Sequence, residues 1–398
     1  MAHASTLGNM AERQLDEAAD SRRSARKHLT SSWPTLVTWA AGAWSAAQAI
    51  LGAWWASGGR GYPFGPAPLD RISGSPLERC DAAVVAPGMV IVGIAGVASA
   101  MLVLRGRLTG WLRGAVLGFV SVTAVAFIAV VPDYTVLGLV AMWPALLVFV
   151  FTGVPGAQDG IEDILYWHRL YIMLVFLGGV LWAAAGVAAA RRSRGRCVSC
   201  GRHDGPQPAW TSPDRALRWG RRAVWVAVIS TIPYDVTRLA WFAGIPLGIS
   251  EEFLRSMRET PGMLEVGATL AVMSGIGAVL THGLVANWGE RFPSWMPVVG
   301  GRAVPPRLAI IPAAIVAVVL PPAGLMQIES SFDTTEWGAT APMVLWLLWS
   351  AGLAVAAYAY YLRRRTRCRR CGKGRTRAVP LATLRRRPDP TVAHGVTS

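Results

Sequence analysis

Residues 136–153 read VLGLVAMWPALLVFVFTG, and the fold turns on whether they cross a membrane. The stretch is apolar enough to do so, but it is short and Pro144 interrupts it. Eight other apolar segments are longer: 34–57, 84–104, 114–131, 166–190, 221–246, 262–283, 307–326 and 342–362. Each has about the 20 residues that ~30 Å of hydrocarbon needs at ~1.5 Å per residue. If 136–153 crosses as a ninth span, every later loop changes side.

Charge arbitrates. Basic residues collect in cytoplasmic loops. With eight spans and both termini cytoplasmic, the inner segments hold five basic residues in the N-tail, three in 105–113, nine in 191–222, three in 284–307 and twelve in the C-tail. That set takes in most of the 39 in the chain. A ninth crossing would move the nine-arginine loop outside. The outer loops of the eight-span reading hold Asp159, Glu162, Asp163, Glu251, Glu252, Glu259, Glu329, Asp333 and Glu336. Residues 136–153 are therefore expected to be re-entrant or interfacial.

Composition points the same way. Of 398 residues 53% are hydrophobic and 16% charged, with mean hydropathy +0.38. Soluble domains are about a quarter charged. A soluble enzyme, a disordered scaffold and a small secreted domain are excluded. The net charge is +16, yet only Lys27 and Lys373 are lysine. That arginine bias fits a GC-rich genome and basic inner loops, so no specific nucleic acid is expected. The polar N-terminal stretch is not expected to be a cleavable signal peptide.

Three motifs recur in order. Pro87-Gly88-Met89 with Val92-Gly93 returns as Pro261-Gly262-Met263 with Val266-Gly267. Tyr62-Pro63-Phe64-Gly65 returns as Ile245-Pro246-Leu247-Gly248, and Arg196-Cys197-Val198-Ser199-Cys200-Gly201 as Arg367-Cys368-Arg369-Arg370-Cys371-Gly372. The interval Pro132–Cys197 exceeds Pro321–Cys368 by the length of 136–153, so that segment behaves as an insertion. The expected architecture is all-α and polytopic: about eight transmembrane helices as a 4+4 parallel internal repeat, the arrangement of parallel-repeat transporters. The expected divisions are a polar cytoplasmic N-tail (1–33), a first repeat (34–202), a linker (203–220), a second repeat (221–375) and a disordered basic tail (376–398).

Each repeat ends in a CxxCG knuckle. Two such turns supply the four thiolates that a structural zinc ion accepts. Cys197, Cys200, Cys368 and Cys371 are thus the expected ligands of one zinc. Separate redox pairs and unligated cysteines are the alternatives; the βαβ context of a redox CxxC is missing. Cys80 stands alone.

The fifth span carries Tyr234, Asp235 and Arg238, the last two on one helix face. Ionisable groups at that depth face a bundle interior or a wet cavity. They read as a ligand site or as an internally neutralised pair. Aligning Trp54 with Trp241 sets Gln48 opposite Asp235, which adds Gln48 to the candidate ligand-binding residues. His168 and His282, at span ends, read as interfacial. No phosphate loop, nucleophile elbow or HExxH motif is present, nor a convergent acid, base and nucleophile set.

Three stretches, WxxGGxGYPFG (Trp55 to Gly65), WGExFPxW (Trp288 to Trp295) and GxxW before an Arg-rich CxxCGR (Gly179 to Arg202), resemble uncharacterised multipass membrane proteins of high-GC actinobacteria. The resemblance implies a membrane fold and location and brings no activity. Two functions are expected from the sequence. One is a plasma-membrane transporter or permease-like protein for an unknown small molecule. The other is a non-transporting scaffold or sensor whose zinc-clasped cytoplasmic face meets anionic lipids.

Overall fold

The computed structural model describes residues 32–64, 74–78, 80–106, 108–140, 166–332, 335–376 and 378–385. Among them there is no strand, only an isolated antiparallel bridge between Arg291 and Ala303. The helices are α1 (32–56), α2 (Ala82–Leu104), α3 (Gly110–Val125), α4 (Trp167–Arg192), α5 (Pro213–Phe242), α6 (Glu251–Glu259), α7 (Met263–Gly283), α8 (Pro306–Phe332), α9 (Trp337–Val344), α10 (Trp346–Arg364) and α11 (Leu381–Arg385). Six stretches are long and apolar enough to cross a bilayer: α2, Gly110–Val130, α4, α7, Pro306–Ile328 and Trp337–Arg364. The chain is therefore a polytopic helical membrane protein. The long helices α1 and α5 carry more polar side chains, Gln48 in one and Asp235 and Arg238 in the other. Of the segment 136–153, residues 136–140 are helical and the rest lies outside the described residues.

Two compact units are distinguished. In the first, Ala41, Ala100, Val103, Val116, Val120 and Trp182 form the core. Lipid-phase helix packing relies on small residues that let backbones approach, because lipid tails leave no hydrophobic gain between helices. Here Gly96 is such a point: a Cβ on it would lie 2.3 Å from Ser45 Oγ and 3.2 Å from the Trp182 ring. The Trp182 indole N–H donates to Ser45 Oγ at 3.1 Å, closing a small buried polar contact. Gly88 and Gly275, by contrast, face open space.

The second unit is centred on Val224, Ala227, Ala317, Leu353, Ala356, Tyr360 and Leu381, where α5, α8 and α10 meet. Helix α5 begins where sequence rules place a start. Ser212 Oγ accepts from Arg215 N, Pro213 fills the first turn and Asp214 favours the positive helix end. It therefore takes in 213–220, much of the expected linker. Ser250 caps the amphipathic α6 in the same way, and Leu254 of α6 is buried with Trp241 and Ile249.

The loop 284–305 folds back on the end of α10. Glu290 Oε1 pairs with Arg363 Nη1 at 3.0 Å, and Glu290 Oε2 accepts the Leu381 N–H at 3.0 Å. Arg363 Nη2 donates to Leu284 O, Arg364 Nη2 to Val304 O, and Tyr360 OH to Gly289 O. The expected disordered tail thus contains, at 381–385, a helical turn whose Leu381 is buried at 1% exposure. An apolar side chain in the core and a backbone N–H on a buried carboxylate hold it.

Helices α1 and α5 end alike. Gly58 and Gly244 take left-handed φ of 87° and 88°, and each closes a six-residue cap, Gly59 N to Trp54 O and Ile245 N to Ala240 O. Their buried positions match as well. Pro34, Thr38, Ala41, Ser45, Gln48, Gly52 and Trp55 correspond to Gly220, Val224, Ala227, Thr231, Tyr234, Arg238 and Trp241 at constant spacing.

Two outcomes are expected in detergent. Gly96→Val should overpack α2 against Ser45 by about 1–3 kcal/mol and lower the apparent Tm, while Gly88→Val leaves it unchanged. Glu290→Gln should strip a buried guanidinium of its carboxylate and cost about 3–5 kcal/mol, read in the same melting assay.

Candidate functional site

The two knuckles are built identically. Gly201 N donates to Cys197 O at 2.7 Å and Gly372 N to Cys368 O at 2.9 Å, with the glycines at φ 73° and 70°. A side chain at either glycine would be strained in that left-handed region, so glycine after CxxC is what closes the turn. Arginines staple each turn. Arg191 Nη1 donates to Val198 O at 2.7 Å, and Arg367 Nε to Gly372 O at 2.7 Å.

Arg202 directly follows the first knuckle, and it grips the loop of the second. Its Nη1 donates to Thr366 O at 3.0 Å and Lys373 O at 2.9 Å, and its Nη2 to Arg365 O at 3.3 Å. The exposed Asp204 forms an ion pair with Lys373, which holds the Asp204 carboxyl below the usual carboxylate range. Each turn presents two thiols, Cys197 and Cys200 in the first unit and Cys368 and Cys371 in the second. Thiolate pairs of this kind suit zinc. Sequence reasoning found the cysteines and missed Arg202, whose signal was only the arginine after CxxCG.

The intramembrane candidates separate. Arg238 is nearly buried, and no ion pair joins it to Asp235. Its Nη1 donates to Gly338 O and its Nη2 to Ala339 O, both at 3.1 Å. Its guanidinium also lies 4.1 Å from the Trp241 ring centre and 4.7 Å from that of Tyr234. Pro342 explains the first acceptor. A proline has no N–H for the carbonyl four residues earlier, which leaves Gly338 O without its helical partner. Arg238 supplies the missing donor.

Tyr234 is buried at the edge of the Trp346 ring, 5.2 Å between centroids. Asp235 points elsewhere, toward the hydroxyls of Ser274 on α7 and of Thr231. Gln48 is buried on α1, in the other unit. When α1 and α5 are aligned on their matching caps, Trp55 answers to Trp241. Gln48 then answers to Tyr234, one place from the position expected opposite Asp235.

Fold and site together define a multi-pass helical membrane protein with two CxxCG turns. Comparison with family models, with curated proteins and with solved structures finds no match.

If Arg238 is a structural donor, Arg238→Lys should lower the apparent Tm with no compound added. Lysine lacks the planar fork that spans two carbonyls and the flat face that stacks on the rings. The expected loss is about 1.5–3 kcal/mol, measured by thermal unfolding in detergent.

Proposed function

We propose that this chain is a non-transporting plasma-membrane scaffold or sensor. Its cytoplasmic face is a basic platform held rigid by one structural zinc ion on Cys197, Cys200, Cys368 and Cys371. Eight spans cross the bilayer, with α1 and α5 joining the six apolar ones, and both termini are cytoplasmic. The two halves form a 4+4 repeat, which the matching caps, burial patterns and knuckles of the halves support. Arg192, Arg194 and Arg196 then lie at the inner leaflet, where each exposed one contributes about 1 kcal/mol of attraction to anionic headgroups.

The observation that carries this reading is the matched construction of the two CxxCG turns, with Arg202 gripping the second from the residue after the first. A closed shell of four thiolates leaves no position for substrate, so the zinc supplies rigidity and not chemistry. A folding role follows, because ligand and fold are then linked in one equilibrium.

A second reading rests on Asp235. A half-buried carboxylate beside the hydroxyls of Ser274 and Thr231 suits a small ligand or a proton in a transporter. Arg238 plays no direct part in it.

Native mass spectrometry of gently solubilised protein separates the two. The scaffold predicts thiolate-held zinc in wild type, lost in Cys197→Ser and in Cys368→Ser, and no small molecule that depends on Asp235. Unchanged zinc in both cysteine variants would sink the shared site. A small molecule present in wild type and absent from folded Asp235→Asn would establish the transporter reading instead.

A further inference from the structure

His168, read in the sequence as an interfacial residue, is 7% exposed and lies at the start of α4. It faces two carboxylates from elsewhere in the second unit. Its Nε2 is 3.0 Å from Glu78 Oε1 and 3.8 Å from Asp133 Oδ2. The other ring nitrogen, Nδ1, is 2.7 Å from Pro63 O. That carbonyl can only accept, so Nδ1 carries a proton and Nε2 is the nitrogen turned toward the carboxylates.

Local structure fixes each donor. Phe64 sets its edge against the imidazole and Tyr166 stacks on it. Glu78 Oε2 accepts the Gly74 N–H at 2.8 Å, and Asp133 Oδ1 accepts the Thr135 N–H at 2.7 Å. Asp133 follows the π-helical turn Ala126–Val130 that ends α3, where Val131 N reaches back to Ala126 O. Ser75 Oγ donates to Val131 O at 2.7 Å, tying the Glu78 loop to that turn. A π turn of this kind often marks a functional site.

Asp133 is the decisive residue. It is 0% exposed, and its Oδ2 has no hydrogen-bond partner. At 3.8 Å the imidazole is too far to donate to it. One imidazole thus serves two carboxylates and meets Asp133 only at ion-pair distance, and a buried carboxylate is expensive unless a cation meets it closely.

We propose that Glu78, Asp133 and His168 bind a divalent transition-metal ion, with Zn2+ and Mn2+ the fitting sizes and charges. Three arguments support it. Donor atoms from the three residues lie within 4.8 Å of one another. Tetrahedral bonds of about 2.0–2.2 Å put donors ~3.4 Å apart, and the 3.0 and 3.8 Å separations bracket that distance. Second, a ligating histidine characteristically donates its other N–H to a backbone carbonyl, the role Pro63 O fills here. Third, taken by themselves two carboxylates and an imidazolium keep a net negative charge, whereas a divalent ion with neutral imidazole cancels it.

Three protein donors leave a coordination position open, unlike the closed thiolate set. The two sites also differ in donor chemistry: imidazole and carboxylate accept Mn2+, thiolates select softer ions. Helix α4 separates them, with His168 in its first turn and the first knuckle just beyond its last.

Mn2+ is therefore the probe. Full-length protein in detergent is titrated with Mn2+ and the free ion is followed by electron paramagnetic resonance. Wild type is expected to bind about one Mn2+, which Zn2+ displaces. His168→Ala, Asp133→Asn and Glu78→Gln should each weaken binding at least about tenfold, since changes even to outer partners of a site cost that much. Cys197→Ser should leave Mn2+ affinity unchanged. Should His168→Ala fail to fold, Glu78→Gln alters only a loop side chain and answers the same question. Wild type that binds neither Mn2+ nor Zn2+ with its cysteines blocked, or the three variants binding as tightly as wild type, would overturn the site.

Discussion

A carbonyl stripped of its helical N–H by a proline cannot be left to lipid, and that constraint shapes the second unit. Hydrocarbon offers no donor, so each such group must be closed by protein. Pro342 frees Gly338 O, and Arg238 closes it from α5. Pro321 frees Ala317 O in α8, and Ser350 Oγ closes it from α10 at 2.6 Å. In both cases the proline on one helix recruits a polar side chain from another. Two of the prolines thus tie α5 to α9 and α8 to α10. An ion pair, Glu290 with Arg363, ties the loop 284–305 to the end of α10.

Much of the helical layout was legible in the sequence because run length and hydropathy are set by bilayer thickness. The apolar segment 262–283 and α7 (Met263–Gly283) nearly coincide. Starts moved where capping outweighed hydropathy: Ser212 and Pro213 begin α5 eight residues before the apolar run does. The cysteine turns were legible from spacing alone, since CxxCG has few ways to close. What spacing could not reveal was partnership. Asp235 and Arg238 share a helix face, and i,i+3 geometry permits a pair. A guanidinium on a long stem instead reaches carbonyls a hundred residues away, and that choice depends on Pro342, a residue nothing nearby in sequence connects to Arg238. Glu78, Asp133 and His168 were hidden for the same reason, being scattered over three loops and helix ends.

The register of α1 against α5 shows how sequence and structure correct one another. Two adjacent tryptophans, Trp54 and Trp55, face a single Trp241, and sequence alone offers no ground for choosing between them. The backbone does: the left-handed glycine lies three residues after Trp55 and three after Trp241. Trp55 and Trp241 are buried at 3% and 2%, whereas Trp54 is exposed. On that register Arg238 answers to Gly52. A Cβ on Gly52 would meet the Ala86 carbonyl at 2.8 Å, so the first half has close helix contact where the second has an arginine.

This asymmetry bears on what the protein does. A duplicated transporter places its substrate groups where the halves meet and keeps them available. In this chain Arg238 is consumed in closing a helix defect and in stacking on two rings. Its loss from the site leaves Asp235 as the only charged group of the candidate set, a thin basis for specific recognition. By contrast the symmetric features, the CxxCG turns, are the ones kept in both halves with the same hydrogen bond and the same glycine conformation. Two turns of the same geometry are economical to explain by one role, which is why the proposed function is built on them and not on Asp235. The weight of the structure therefore falls on the helix ends, where the matched CxxCG turns and the group of Glu78, Asp133 and His168 lie.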